Sequence, residues 1–197
     1  MTEHYFTKQP LSELRVHKIK VNINGKDYEF FTASGLFSLK KLDKASRLLI
    51  NKSIINDKWK VLDLGCGYGI IGICLKILYP NIDLTMSDIN KRAIMISKKN
   101  INKHNIKAKI LQSAGFENIN NKFDTILLNP PQAAGKSVCF SLIKNSKEHL
   151  TKDGILQVVG RHNKGGKTLS DYMKEIFGNV DDSVKKSGIR VYVSKNI

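Results

Sequence analysis

Three short stretches carry the residue types from which chemistry can be built. The first is Val61-Leu62-Asp63-Leu64-Gly65-Cys66-Gly67-Tyr68-Gly69, a strand-like run entering a turn with glycine at every second position. An apolar helical run, Ile70 to Leu78, follows at once. Glycine lets the backbone turn sharply and approach a ligand with no Cβ in the way, and N–H groups at the head of the next helix face that ligand. The second is Asp88, at the end of the next predicted strand, with Ile89 beside it. The third is Asn129-Pro130-Pro131-Gln132, directly after the buried-strand pattern Ile126-Leu127-Leu128. Proline fixes φ, so this turn holds a side-chain amide and stiff backbone carbonyls at a strand end.

A glycine turn alone serves NAD, FAD and S-adenosylmethionine equally, so its neighbours must choose. Asp63 stands two residues before Gly65, where a carboxylate would repel a pyrophosphate but suits the ammonium group of S-adenosylmethionine. The loop reads G-x-G-x-G, tighter than the G-x-G-x-x-G of dinucleotide binders, although Gly72 could extend it. An acidic residue at the end of the second strand accepts hydrogen bonds from ribose hydroxyls; the alternative for Asp88 is a cap for the helix starting near Asn90. Asp63, Gly65, Cys66, Gly67, Gly69, Asp88 and Ile89 are therefore the predicted cofactor contacts, with Cys66 present because a small residue is needed there.

The Asn-Pro-Pro turn suits methyl transfer to an exocyclic amine such as guanine N2 or adenine N6. The lone pair of that nitrogen is delocalised into the ring. If Asn129 Oδ1 and the Pro130 carbonyl accept its two N–H groups, the amine is held with its lone pair toward the methyl donor, which is orientation rather than base catalysis. Asn129 and Pro130 are the candidate catalytic residues, with Pro131 and Gln132 against the substrate. The bland alternative is that two prolines simply end a strand.

These stretches need a scaffold that brings strand ends to one edge. Ile19, Val21 and Ile23 alternate with lysine and asparagine, Asn24-Gly25 follows, and Tyr28, Phe30 and Thr32 alternate on the return: a β-hairpin. A loop Ser34-Gly35-Leu36-Phe37-Ser38 leads to a helix capped by Asp43, with apolar face Ala45, Leu48, Leu49 and Ile55. Strands are then expected at 61–64, 82–87, 107–112, 123–128 and 155–159, alternating with helices at 70–79, 90–104, 136–150 and around Leu169, Tyr172, Met173 and Ile176. Two last strands, about 180–185 and 189–195, turn at Ser187-Gly188 with no room for a helix, so they must be antiparallel. Strand–helix alternation demands a mostly parallel sheet with right-handed crossovers. The expected fold is α/β and Rossmann-like: a seven-stranded sheet ending in an antiparallel hairpin, which resembles class I methyltransferases. Residues 1–42 form an N-terminal arm and β-hairpin extension in this reading, and 43–197 the methyltransferase domain.

The chain of 197 residues is long enough for one buried core, and its 41% hydrophobic content is that of a soluble globular protein. No apolar run approaches the about 20 residues that span a bilayer, and Met1 to Phe6 is neither a signal nor a transit sequence. A cytoplasmic protein is expected, with no membrane partner. Thirty-three Lys and Arg against 17 Asp and Glu leave a formal charge of +16, which attracts polyanions, nucleic acid first. Crowding with Lys, Asn and Ile is also what an AT-rich genome writes without selection for binding. Three scattered cysteines and five scattered histidines lack ligand spacing, so neither a disulfide framework nor a metal is expected.

Asp63-Leu64-Gly65-Cys66-Gly67-Tyr68-Gly69, Asp88 and Asn129-Pro130-Pro131 resemble the class I amino-methyltransferases. Gly35-Leu36-Phe37-Ser38 with Asp43 is similar to the small-subunit ribosomal RNA guanine-N2 methyltransferases, as a single-domain archaeal-type relative of their catalytic half. The resemblance implies S-adenosylmethionine as cofactor, Phe37 against cofactor or base, and RNA (rRNA or tRNA) methylated at guanine N2. Guanine N7, protein glutamine or a small molecule are the alternatives. Two departures matter. Ala114 stands where many relatives carry Asp or Asn toward the cofactor's adenine, so backbone groups are expected there. Gln132 stands where adenine-N6 and glutamine methyltransferases carry a stacking aromatic, so a hydrogen bond to a guanine edge is expected instead. Lys136, Arg161, Lys164 and Lys167 lie in loops expected on the same edge and are candidate phosphate contacts; each alone is an ordinary surface charge.

Overall fold

The computed structural model describes residues 12–197, without the side chains of Ser183 and Val184; the arm expected over residues 1–13 falls mostly outside them. Alternating apolar and polar residues fold as β1 (Val16–Ile23) and β2 (Lys26–Ala33), paired antiparallel with Ile19 opposite Phe30. Asn24 and Gly25 take φ of 48° and 83°, the two positive angles that a hairpin turn of matching twist requires. Asp43 accepts hydrogen bonds from Ala45 N and Ser46 N, both at 2.9 Å, and so starts α1 (Lys44–Lys52). Ser53 ends that helix, so Ile55 is buried beyond it rather than on its face.

The alternating half follows as expected: β3 (Lys60–Leu64), α2 (Ile70–Leu78), β4 (Asp83–Asp88), α3 (Lys91–Lys103), β5 (Lys109–Gln112), β6 (Phe123–Leu128), α4 (Lys136–Glu148), β7 (Leu150–Arg161), α5 (Lys167–Phe177), β8 (Asp181–Lys186) and β9 (Ile189–Lys195). The seven-stranded sheet has the order β5-β4-β3-β6-β7-β9-β8, with β9 antiparallel to both neighbours and the other described pairings parallel. β7 is longer than expected. Leu150 pairs with Phe123 and Ile155 with Thr125, so Asp153-Gly154 sits in a bulge inside the strand and does not precede it. The far end of β7 reaches Arg161 because β9 pairs along it to Ile189.

Successive residues of the central strands point to opposite faces. Val61 and Leu127 pack with α1, α2, α3 and the hairpin, while Leu62, Ile126 and Leu128 pack with α4 and α5. α2 lies close on the sheet because Gly72 has no side chain: a Cβ there would stand 2.7 Å from Met86 Sδ. Gly72 N instead donates to Asp63 Oδ2 at 2.8 Å. Asn100 of α3 fastens the N-terminal hairpin, with Lys103 Nζ pairing Glu29 at 2.7 Å beside it. Asn100 Oδ1 accepts from Phe31 N at 2.7 Å, and its Nδ2 donates to Phe31 O at 2.9 Å and Tyr68 O at 2.8 Å. One buried amide therefore completes a β2 edge and holds the glycine turn.

Two predictions follow from these buried polar groups. Asn100→Ala strands three backbone groups and is expected to cost about 2–3 kcal/mol in urea unfolding; unchanged stability would refute the fastening role. Burial pushes the Asp63 carboxyl up to about 7, against the Gly72 N–H, with the Asp88 charge adding to the rise. The unfolded value is about 3.9. Between about pH 4 and pH 7 the folded protein then binds more protons than the unfolded chain, so this residue's contribution to stability falls as pH rises. Glu29, Asp153 and Asp182 are lowered by their cationic partners and act in the opposite sense below that window. The stability of Asp63→Asn relative to the native protein is expected to increase steadily across the window; a constant difference refutes the assignment.

Candidate active site

The sheet changes direction of winding at β3, which has β4 on one side and β6 on the other. Ligands of open α/β sheets bind outside the carboxyl ends of strands at such a point, and here a cavity of about 1180 Å³ opens there. Its floor is the glycine turn. Cys66 N donates to Ser87 O, and Gly67 N to Asp88 Oδ2, each at 2.8 Å. Asn90 N donates to Asp88 Oδ1, also at 2.8 Å. These bonds tie the turn to the end of β4. Gly65 and Gly67 have φ of 71° and 57°, and a Cβ on either would meet nothing within 4 Å, so the turn's ligand side is open.

Burial raises the Asp88 carboxyl, while the N–H groups of Asn90, Gly67 and Ile89 draw it back. Its oxygens keep lone pairs for hydroxyl groups of a ligand. The helix cap is Asn90, whose side chain accepts from Arg92 N and Ala93 N, so capping α3 is not the role of Asp88. The Cys66 thiol is held well above its usual range by burial and then by the Asp88 and Asp63 charges. It is an uncharged packing group.

Across the cavity, the turn after β6 is stiffened by its own backbone. Gln132 N donates to Pro130 O and Ala134 N to Pro131 O, both at 2.8 Å. The Pro130 carbonyl, expected to accept from a target amine, thus has one lone pair engaged and one left. Asn129 Nδ2 donates to Ser46 Oγ of α1 at 3.0 Å. Asn129 Oδ1 has no hydrogen-bond partner among the described residues. The Gln132 side chain lies toward the end of β7, where a Cβ on Gly160 would stand 3.4 Å from its Nε2, and toward Gly165 just beyond it.

Of the expected cofactor contacts, Gly65, Cys66, Gly67, Asp88, Ile89 and Ala114 line this cavity, as does Phe37 at its mouth. Asn129, Pro130, Pro131, Gln132 and Arg161 line it too. Asp63 does not. It is 1% exposed and holds α2 from beneath, so the direct pairing with a ligand ammonium expected for it is corrected to support of the turn. Gly69 is likewise not in the lining; it is the left-handed residue that opens α2. Lys136 and Lys164 are exposed outside the lining, beside Ser137 and close to Arg161 in sequence.

Other lining residues were not anticipated. Asp43 and Ser46 place the first turn of α1 in the wall, and Ser137, Ser141, Leu142 and Asn145 bring one face of α4. His149 stacks on Phe116 with ring centroids 4.2 Å apart at the far end. The spacing Ser137, Ser141, Asn145 is a helical stripe of small polar residues that could have marked this face. Asp43 Oδ2 and Ser87 Oγ are buried without hydrogen-bond partners among the described residues, and both residues line the cavity. An open glycine turn beside a strand-end carboxylate fits a nucleoside-bearing cofactor.

Known proteins agree with that geometry. Residues 27–193 match the methyltransferase small domain family. An uncharacterised protein, YbxB of Bacillus subtilis, is 34% identical over 201 residues and spans the whole of both chains, so the single-domain form expected as archaeal-type occurs in a bacterium. The ribosomal RNA small subunit methyltransferase C of Pasteurella multocida is 36% identical over 68% of this chain and 42% of that protein. The enzyme of the same name from Actinobacillus pleuropneumoniae is 30% identical over 98% of this chain and 59% of that one. The chain therefore spans about half the length of these RNA-modifying relatives. The T. thermophilus 16S rRNA N2 G1207 methyltransferase, solved with AdoMet and guanosine, superimposes with a TM-score of 0.80 at 23% identity, over 95% of this chain and 52% of that one. The likeness confirms the Rossmann-like fold. The chain belongs to the methyltransferase small domain family.

Proposed function

We propose that this methyltransferase acts on the exocyclic N2 of guanine in ribosomal RNA. The observation that carries the reading is Asn129: its amide nitrogen is tied to Ser46, which leaves Oδ1 as an acceptor on the cavity wall across from the glycine turn. S-adenosylmethionine, when bound, supplies an electrophilic methyl group on a sulfonium. Gly65, Gly67, Asp88, Ile89 and Ala114 would hold it, with Phe37 beside it.

Asn129 Oδ1 and the remaining lone pair of the Pro130 carbonyl accept the two N–H groups of the target amine. Such bonds fix the nitrogen's orientation and favour the positive charge it gains on alkylation. The amide oxygen is too weak a base to remove a proton beforehand, so the proton leaves after transfer. Pro131 and Gln132 meet the base; with Gln132 in place of an aromatic after the second proline, this turn holds the base by its edge. A base in structured RNA must be exposed or flipped to reach such a pocket. Lys136, Arg161 and Lys164 are the phosphate contacts of this reading, consistent with the charge of +16. The names of the Pasteurella and Actinobacillus relatives favour ribosomal RNA.

Incubation with labelled S-adenosylmethionine and total RNA, followed by nucleoside analysis, is expected to yield labelled N2-methylguanosine. Label in 7-methylguanosine, or in protein alone, would overturn the assignment. Asn129→Ala is expected to lower kcat by about 100-fold or more while calorimetric cofactor affinity stays within about twofold, since its carbonyl faces the acceptor. A fully active variant refutes the orienting role. Asp88→Ala should abolish cofactor binding in the same calorimeter; unchanged affinity sinks the ribose contact.

A further inference from the structure

We infer that Ser46 determines which face of the Asn129 amide the target meets, and through it the class of nucleophile the site accepts. The inference rests on the proposed amine methylation and deepens it. A carboxamide has two faces, an oxygen that accepts and an NH2 that donates. An exocyclic amine presents N–H groups and needs the oxygen. A ring nitrogen with an in-plane lone pair presents an acceptor and would be held by the NH2. Rotation of one side-chain torsion exchanges the two, and the Asn-Pro-Pro backbone leaves that torsion free.

The decision is made by another element. Ser46 Oγ stands 3.0 Å from Asn129 Nδ2, the residues being 83 apart in the chain. Ser46 is 3% exposed, so little water competes for the bond. Its backbone is held by the cap of α1: Asp43 Oδ1 accepts from Ser46 N and Ala45 N, and Arg47 N donates to Asp43 O at 3.1 Å. A serine hydroxyl can donate to an amide oxygen or accept from an amide nitrogen, and here Ser46 Oγ accepts from Asn129 Nδ2. An acceptor so placed draws the amide nitrogen and leaves Oδ1 to the cavity. Ser46 is thus a positioning residue, acting on the substrate only through Asn129.

The test uses the full chain, labelled S-adenosylmethionine and total RNA. Ser46→Ala is expected to lower kcat for N2-methylguanosine formation by about tenfold, as a loosened positioning group does, with calorimetric cofactor affinity unchanged. Ser46→Thr, which keeps the hydroxyl, should restore most of the rate. In the Asn129→Ala background Ser46→Ala should cost nothing further, because residues acting as one unit are not additive. An equal loss in both backgrounds would overturn the inference and leave Ser46 a general structural residue. Ser46→Cys, of similar volume and weaker hydrogen bonding, replaces the alanine variant if that one does not fold.

A second readout needs no substrate. In nitrogen–proton correlation spectra, the Asn129 side-chain NH2, identified by its absence from Asn129→Ala, should exchange slowly with water and speed up in Ser46→Ala. Equal exchange in both proteins overturns the Ser46 contact. If the native protein labels no RNA, the proposed reaction fails, and this exchange measurement still decides the contact by itself.

Discussion

Two carboxylates buried beneath one glycine turn are the constraint on which the rest of the molecule depends. Asp63 receives the Gly72 N–H from inside α2, and Asp88 receives the N–H groups of Gly67 and Asn90. Each carboxylate loses hydration when buried, and backbone N–H groups return part of what is lost. The result fastens the end of β3, the head of α2 and the end of β4 to one another. A cofactor bound there meets backbone whose position is already set. That is preorganisation: the ordering is done in folding and not repeated at each binding event.

Amide side chains do the corresponding work between the elements around the site. Asn100 joins the N-terminal hairpin to the glycine turn through Phe31 and Tyr68. Gln157 joins the segment after α1 to the sheet by bonding Ile54 N and O and Thr125 Oγ1. Asn129 joins the Asn-Pro-Pro turn to α1 through Ser46. An amide both donates and accepts, so one buried residue can satisfy two elements that no regular ladder connects. The hairpin and α1 are thereby part of the site's support, with Phe37 and Asp43 between them on the cavity wall.

Much of this was legible along the chain because its causes are local. Hydrophobic period, Asn-Gly and Ser-Gly turns, and the Asp43 and Asn90 positions reproduce the elements within a few residues, since alternation and capping act over a handful of neighbours. The bulge at Asp153-Gly154 was not legible. The same dipeptide marks a helix–strand loop or a bulge, and only pairing with β6 tells the two apart. Asp63 shows the same limit in the site. Its type and place suggested a ligand for an ammonium group, but whether a strand-end carboxylate points up to the cavity or down to the helix is a matter of side-chain alternation and of the space left by Gly72.

By itself the sequence determined the kind of sheet and the glycine turn with its strand-end carboxylate, because hydrophobic period, glycine and carboxylate are written in adjacent residues. Tertiary structure alone decided which groups meet across the cavity: Ser46 with Asn129, one face of α4 with the glycine turn, Gln132 with Gly160. Those partners lie far apart along the chain, and no local propensity couples them. Their meeting is set by strand order and helix packing, which emerge only when the whole core closes.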